Sequence, residues 1–288
     1  MAIIRLKEAN SKIGVVFSSG FFGFFAHAGF LSALREKGIM PSGYSGASSG
    51  AIIAAMAASK MDDSEIKEIL SNLKKSDFWD PDSTFTIFKR ALTLFRGYSG
   101  YLRGNKFADL LKIIPVKQIQ DCPIPLVVAT TNLTLQREEC FSKGNLVKVI
   151  QASGAMPILF KPVKIDGDLY VDGGIANKAP VQALADLIEP KRIIVHFIES
   201  DNISATMPVN GFLYKRLTPW HVHCLAVNIA RQEAYKRQCD ILKKRGIEVI
   251  EVKTGASSVG PNSLDKGPLV YNKSRETALR ILSENFAT

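Results

Sequence analysis

Cysteine is scarce in this chain. The four present in 288 residues, Cys122, Cys140, Cys224 and Cys239, are scattered and form no C-x-x-C pair. That excludes a disulfide-stapled scaffold and points to a reducing, cytoplasmic setting. Metal-ligand spacing is lacking too. The one suggestive cluster is His221, His223 and Cys224, but residues two apart on a helix face different ways, so neither a metal nor another cofactor is expected. Acidic residues are outnumbered, 27 against 37 Lys and Arg, leaving a net charge of +10. A balance of this sign favours anionic partners: a phospholipid surface, nucleic acid or an acidic substrate. No internal repeat, low-complexity tract or linker interrupts the chain. With 46% hydrophobic and 22% charged residues, disorder, collagen and coiled coil are excluded. A single domain over residues 1–288 is the expected organisation.

One long stretch carries no charge, from Gly14 to Leu34, between Lys12 and Arg35. Its length would cross a bilayer, and Ala26-His27-Ala28 imitates a signal cleavage site. Four glycines, two adjacent serines and a histidine argue against both readings. The stretch divides instead into a strand at 13–17, a turn at 18–23 and a helix from Ala26 to Lys37.

Further along, a second strand ends near Ser45, and Ala51 to Ser59 reads as a buried helix of small residues. Asp62 and Glu65 have capping-box spacing before a helix whose apolar face is Ile66, Ile69, Leu70 and Leu73. Strands are expected at 125–129, 169–171, 192–198 and 247–252. Helices are expected at 147–152, 181–188, 219–245 and 274–286. Alternating strands and helices imply an α/β layer fold with a mostly parallel sheet covered on both faces.

Gly46-Ala47-Ser48-Ser49-Gly50 fits G-x-S-x-G. A nucleophilic serine on a tight strand-to-helix turn needs small neighbours, and the following helix N-terminus favours negative charge there. The bland alternative is a tight turn without chemistry. A serine hydroxyl needs a base. Histidine is the usual candidate, and Ser48, Asp172 and either His196 or His221 would satisfy the order Ser…Asp…His. Asp172 itself is the better partner, because Tyr170-Val171-Asp172-Gly173-Gly174 ends a short strand with two glycines that permit close approach. Partial burial would raise its pKa toward that of a useful base. Ser18-Ser19-Gly20-Phe21-Phe22-Gly23 links the first strand to the first helix, and its backbone amides could hold an oxyanion. A dinucleotide site fits this loop poorly. The first glycine of G-x-G-x-x-G is missing, and two phenylalanines occupy the space a pyrophosphate would need.

The glycine turn, G-x-S-x-G and D-G-G, in that order, resemble the patatin-like phospholipase family. The resemblance extends to Ala28–Leu34 after the glycine loop, to Gln151-Ala152-Ser153-Gly154-Ala155-Met156-Pro157, and to the run from Val171 to Pro180. It covers roughly residues 10–200. It implies a three-layer α/β/α sandwich and a lipid acyl hydrolase of phospholipase A type. It also implies a Ser-Asp dyad, with Ser48 as nucleophile and Asp172 as base, without metal or other cofactor. Amides around Ser19, Gly20 and Phe21 would hold the oxyanion, and Gly23, Gly46, Gly50, Gly173 and Gly174 would shape the loops. Family members often carry three glycines and a basic residue in the first loop; here serines stand at 18 and 19, and Phe21-Phe22 precedes Gly23. Two other readings stay open: a general carboxylesterase or thioesterase with a Ser-His-Asp triad, and a non-catalytic lipid-binding module.

Residues 78–106 interleave Trp79, Phe85, Phe88, Phe95, Tyr98 and Tyr101 with Lys89, Arg90, Arg96, Arg103 and Lys106. Aromatics with cations suit a lid or a surface in peripheral contact with an anionic membrane. The alternative is an ordinary amphipathic helix packed on the core. No nucleic-acid motif accompanies the basic residues, so a lipid or phospholipid substrate is the expected partner.

Overall fold

The computed structural model describes residues 12–94, 96–199, 219–255 and 259–286. Its frame is an 8-stranded sheet. The strands are β1 (Ile13–Phe17), β2 (Gly43–Ala47), β4 (Leu126–Asn132), β5 (Arg137–Phe141), β7 (Val163–Ile165), β8 (Asp168–Asp172), β9 (Arg192–Glu199) and β10 (Glu248–Gly255). The order is β10-β9-β1-β2-β4-β8-β7, with β5 also on β4. From β10 to β4 every pairing is parallel; β5, β7 and β8 join antiparallel. A separate small sheet pairs β3 (Gly100–Leu102) with β6 (Ile158–Phe160).

The helices are α1 (Phe24–Glu36), α2 (Ser49–Ala58), α3 (Asp63–Asn72), α4 (Thr84–Ala91), α5 (Asn105–Leu111), α6 (Leu146–Ser153), α7 (Val181–Ile188), α8 (Pro219–Lys244) and α9 (Gly267–Asn285). They cover both faces of the sheet. Along β1, Val15 and Phe17 enter one core with α1, α2 and α9, while Val16 enters a second core with α7 and α8. The period of two continues in β9, where Ile194 and Ile198 face the first core and Ile193, Val195 and Phe197 the second. A parallel strand buried on both sides must be apolar at nearly every position, which is why residues 193–198 are hydrophobic apart from His196. The expected α/β/α layering with a mostly parallel sheet is what the chain forms.

The edge of β4 positions the site. One edge pairs with β5 from Val128 to Asn132. The other is shared: β2 covers Leu126 to Ala129 in parallel, and β8 takes over at Thr130 in antiparallel. Ala47 lies opposite Ala129, and Asp172 lies opposite Thr130. The ends of β2 and β8 therefore meet head to head at consecutive register positions.

Some local expectations shift. The uncharged stretch does divide into β1, a turn and α1, and no helix among the described residues is long and apolar enough to cross a membrane. Asp62 is the N-cap residue of α3, but its carboxylate makes no capping bond, so the capping box does not form. The next residue, Asp63, is instead engaged by Arg35 of α1. Helix α9 starts at Gly267, seven residues before the expected Ser274. Its Pro268 sits in the first turn, where the missing N–H has no helical partner to lose. The segment 78–106 splits: Phe78 and Leu102 are buried, whereas Phe85, Phe88, Leu92 and Leu94 are 75%, 65%, 71% and 85% exposed. The alternative of one ordinary amphipathic helix over 78–106 packed on the core is thus not what forms: the helix there is α4 alone, with Phe85 and Phe88 exposed. Phe95 lies outside the described residues.

Helices α1 and α9 touch backbone to backbone at Gly29, where an added Cβ would collide with the Tyr271 carbonyl. Helix propensity alone would have Gly29→Ala stabilise by up to about 1 kcal/mol. The collision reverses the sign, and the variant should lose ~1–3 kcal/mol. Urea unfolding of both proteins checks this, and a gain in midpoint would refute it.

Candidate active site

β2 ends at Ala47, and α2 begins at Ser49. Ser48 between them has φ 56° and ψ −126°, a region that side chains normally avoid. Such strain persists only where the surroundings over-determine it, and here they do. A Cβ on Gly46 would strike the Gly50 carbonyl, and one on Gly50 would strike the Phe17 carbonyl, so the turn is closed by contacts only glycine allows. The Ser48 N–H donates to Ser153 Oγ at 2.9 Å, and Ser153 Oγ donates in turn to the Ala129 carbonyl at 2.7 Å. The elbow is thereby braced against both α6 and β4.

Asp172 closes β8 and is buried. Ser48 Oγ donates to its Oδ2 at 2.6 Å, and the Gly174 N–H donates to its Oδ1 at 2.7 Å. Burial pushes the carboxyl above the ordinary aspartate value; the bonds from Ser48 and Gly174 and the charges of Arg231 and Lys178 pull the other way without cancelling it. The arrangement is a hydroxyl facing a carboxylate with raised proton affinity, the pair needed for proton transfer from an attacking oxygen.

The loop from 18 to 23 is held on several sides. The Ser18 N–H donates to the His196 carbonyl at 3.1 Å, and Ser18 Oγ accepts from the Ile198 N–H at 2.8 Å. The Gly20 carbonyl accepts from Ser49 Oγ at 2.6 Å, which fastens the loop to the first turn of α2. The Ser19 N–H donates to the Lys178 carbonyl at 2.8 Å. That bond corrects the expectation that Ser19 faces an oxyanion: its amide is engaged by the chain following the aspartate turn. No described residue accepts from the N–H of Gly20 or Phe21.

Neither described histidine ring touches the Ser48–Asp172 pair. His27 and His196 are fully buried, with their Nδ1 atoms 2.6 Å apart. His27 Nε2 lies 2.8 Å from the Ser18 carbonyl, which can only accept, so His27 carries its proton there. Its Nδ1 then accepts from His196 Nδ1–H, and His196 Nε2 accepts from the Thr254 hydroxyl at 2.9 Å. Desolvation keeps both rings neutral, pushing His27 down to about 3 and His196 well below its ordinary value. A triad through His196 is thus not formed. The side chains of His221, His223 and Cys224 lie outside the described residues, and among the described residues no group of three ligand-type side chains gathers.

Two cations near the aspartate were not singled out by sequence. Lys178 is fully buried, and desolvation lowers it to about 7. Arg231 comes from α8, and its Nη1 donates to the Gly174 carbonyl at 3.2 Å and to Ser19 Oγ at 3.4 Å. Nothing in the local sequence marks Arg231 among the other basic residues of α8; only the packing of α8 against the sheet brings it here.

Ser48 and Asp172 open onto a cavity of about 450 Å³. Its wall is apolar, with Phe21, Phe22, Trp79, Phe107, Met156 and Phe160 among its residues. The Phe21-Phe22 pair therefore belongs to the cavity wall. Asp172 and Arg231 are the only charged side chains lining it among the described residues.

These features can be set beside known proteins. An uncharacterized NTE family protein of Mycobacterium tuberculosis is 29% identical over 186 residues, covering 64% of this chain and 49% of that protein. An uncharacterized protein of Acanthamoeba polyphaga mimivirus is 29% identical over 226 residues, covering 72% and 74%. The lysophospholipase NTE1 of Yarrowia lipolytica is 25% identical over 235 residues, covering 78% of this chain and 16% of that protein. The chain spans about half the length of the mycobacterial relatives, 49%. Among solved structures, VipD from Legionella pneumophila shares the fold, with a TM-score of 0.55 at 16% identity over 95% of this chain and 67% of that one. The sequence model of patatin-like phospholipases matches residues 15–185, a stretch that runs from β1 through the glycine loop, the Ser48 elbow and Asp172 into α7. On that match, the chain belongs to the patatin-like phospholipase family.

Proposed function

We propose that this chain hydrolyses acyl esters of lipids, with Ser48 as nucleophile and Asp172 as its base. The observation that carries the reading is the 2.6 Å hydrogen bond from Ser48 Oγ to Asp172 Oδ2 at the wall of an apolar cavity. A volume of about 450 Å³ falls in the range of ligand pockets, ~300–1,000 Å³. Apolar walls suit an acyl chain better than a polar acid.

The reaction has two halves. Ser48 Oγ attacks the ester carbonyl as its proton passes to Asp172. Negative charge gathers on the carbonyl oxygen, toward the amides of Gly20 and Phe21 and the N-terminal end of α2. The tetrahedral intermediate collapses, and the departing alcohol or lysolipid takes the proton from Asp172. Water then attacks the acyl-enzyme, yielding its proton to Asp172; the fatty acid leaves, and Ser48 regains its hydrogen.

Residues 78–106 supply the membrane-facing surface in this reading. Trp79, just before α4, and the β6 residues paired with β3, just after it, line the cavity. In sequence, α4 lies between Trp79, which lines the cavity, and β3, whose partner β6 lines it. It turns Phe85, Phe88 and Leu92 to solvent at helical spacing, beside Lys89 and Arg90. Apolar side chains flanked by cations match an anionic bilayer surface.

Ser48→Ala should abolish fluorophosphonate labelling and ester hydrolysis, and Asp172→Asn should lower hydrolysis ~10²–10⁴-fold. Full labelling of Ser48→Ala would refute the nucleophile assignment. Because Asp172 must be ionised to act and its carboxyl is raised, kcat/KM should fall with acid along a limb lying above the ordinary aspartate value, ~3.9. A limb at or below that value would contradict a buried carboxylate base. In vesicle flotation, the double change Phe85→Ser and Phe88→Ser should weaken binding ~10-fold or more. Wild-type binding that ignores lipid charge and salt would dismiss the membrane surface.

A further inference from the structure

Among the described residues, Arg231 is the one polar side chain that α8 contributes to the cavity wall. It lies one helical turn beyond Val227, which lines the same cavity, so this face of α8 is turned toward the reacting groups. Its Nε donates to Asn228 Oδ1 at 3.0 Å, which fixes the plane of the guanidinium from within the helix. From that fixed position Nη1 bridges two loops that are far apart in sequence, at Ser19 Oγ and the Gly174 carbonyl. The loops touch each other there: a Cβ on Gly174 would collide with the Ser19 side chain.

Resting on the Ser48–Asp172 reading, we propose that Arg231 is a positioning residue that ties the oxyanion loop to the aspartate turn and sets the spacing between the amides of Gly20 and Phe21 and the carboxylate of Asp172. Ser19 is the hinge of this tie. Its amide is bound to Lys178 O on the aspartate side, and its hydroxyl is bound to Arg231, so the loop is drawn toward the aspartate turn from two directions. A lysine could restore the charge but not the planar fork braced by Asn228.

The tie has an electrostatic consequence. The groups facing the Asp172 carboxylate are Ser48 from the elbow, the Gly174 N–H from its own turn, Lys178 from the chain before α7, and Arg231 from α8. Both cations favour its ionised form. With Arg231 neutralised, Lys178 remains as the counter-charge; burial still lowers its proton affinity, although the repulsion from Arg231 that adds to the lowering is gone. Asp172 should then hold its proton to higher pH.

The test follows the rate of Ser48 labelling by a fluorophosphonate against pH in the full chain, in wild type, Arg231→Gln and Arg231→Lys. In Arg231→Gln the acid limb should move to higher pH, and the plateau rate should fall ~10-fold or more. In Arg231→Lys the limb should stay near the wild-type position while the plateau still falls. An unmoved limb in the glutamine variant, or an undiminished plateau in the lysine variant, overturns the proposal. Hydrogen exchange gives a readout independent of chemistry: amides at 18–23 and 173–178 should exchange faster in both variants while the rest of the sheet keeps its protection. Unchanged exchange there also overturns it. A wild-type protein that is not labelled at Ser48 would sink the hydrolase reading itself, and the exchange result would still decide the role of Arg231.

Discussion

The site depends on one edge of one strand. β4 offers its second edge first to β2 and then to β8, and the handover between Ala129 and Thr130 brings the two strand ends together. Because pairing register is fixed by which side chains each strand buries, a slip of one residue would turn Asp172 to the opposite face. The proton-sharing contact between residues 124 apart is thus a consequence of sheet register. The loops around it then need only be fine-tuned, through Ser153 behind the elbow, Ser49 beneath Gly20 and Arg231 across the top.

That division explains the strain at Ser48. A residue with φ 56° and ψ −126° resists its own conformation, at a cost of order 1–3 kcal/mol. The cost is tolerable because both flanking elements are held elsewhere. β2 is paired on both sides, and α2 is buried along almost its whole surface. Helix α2 can be apolar all round because no side of it meets much water, and its small residues let it lie close to the sheet. The buried histidine pair holds the neighbouring loop at Ser18 in the same indirect way, through a chain of hydrogen bonds that ends at β10.

Much of this was legible in the sequence because it is local. The unit at 13–36 announces itself through a short run of branched and aromatic residues, a serine-glycine turn and apolar residues at helical spacing, the unit at 43–58 through its run of small residues, and glycines at 46 and 50 mark where backbone meets backbone. Asp172 was legible as the end of a short strand with two glycines behind it. What failed was non-local. The Ser19 amide looks free in sequence, and only the fold shows Lys178 O taking it. His196 fits the order of a triad, yet it sits on β9 facing the first core, stacked on Phe30. Arg231 has no local signature at all. The capping box at Asp62 failed because spacing permits such a bond without requiring it.

The two core histidines have an influence beyond the loop they hold. In the native chain His27 stays neutral down to about 3, whereas once unfolded it takes a proton near 6.5. Between those limits the unfolded chain binds protons that the folded one refuses, so each unit of acidification erodes the fold by about 1.4 kcal/mol for this ring. His196, lowered for the same reason, adds to the slope. Sensitivity to mild acid thereby has one source in the hydrophobic interior, in side chains that burial keeps neutral.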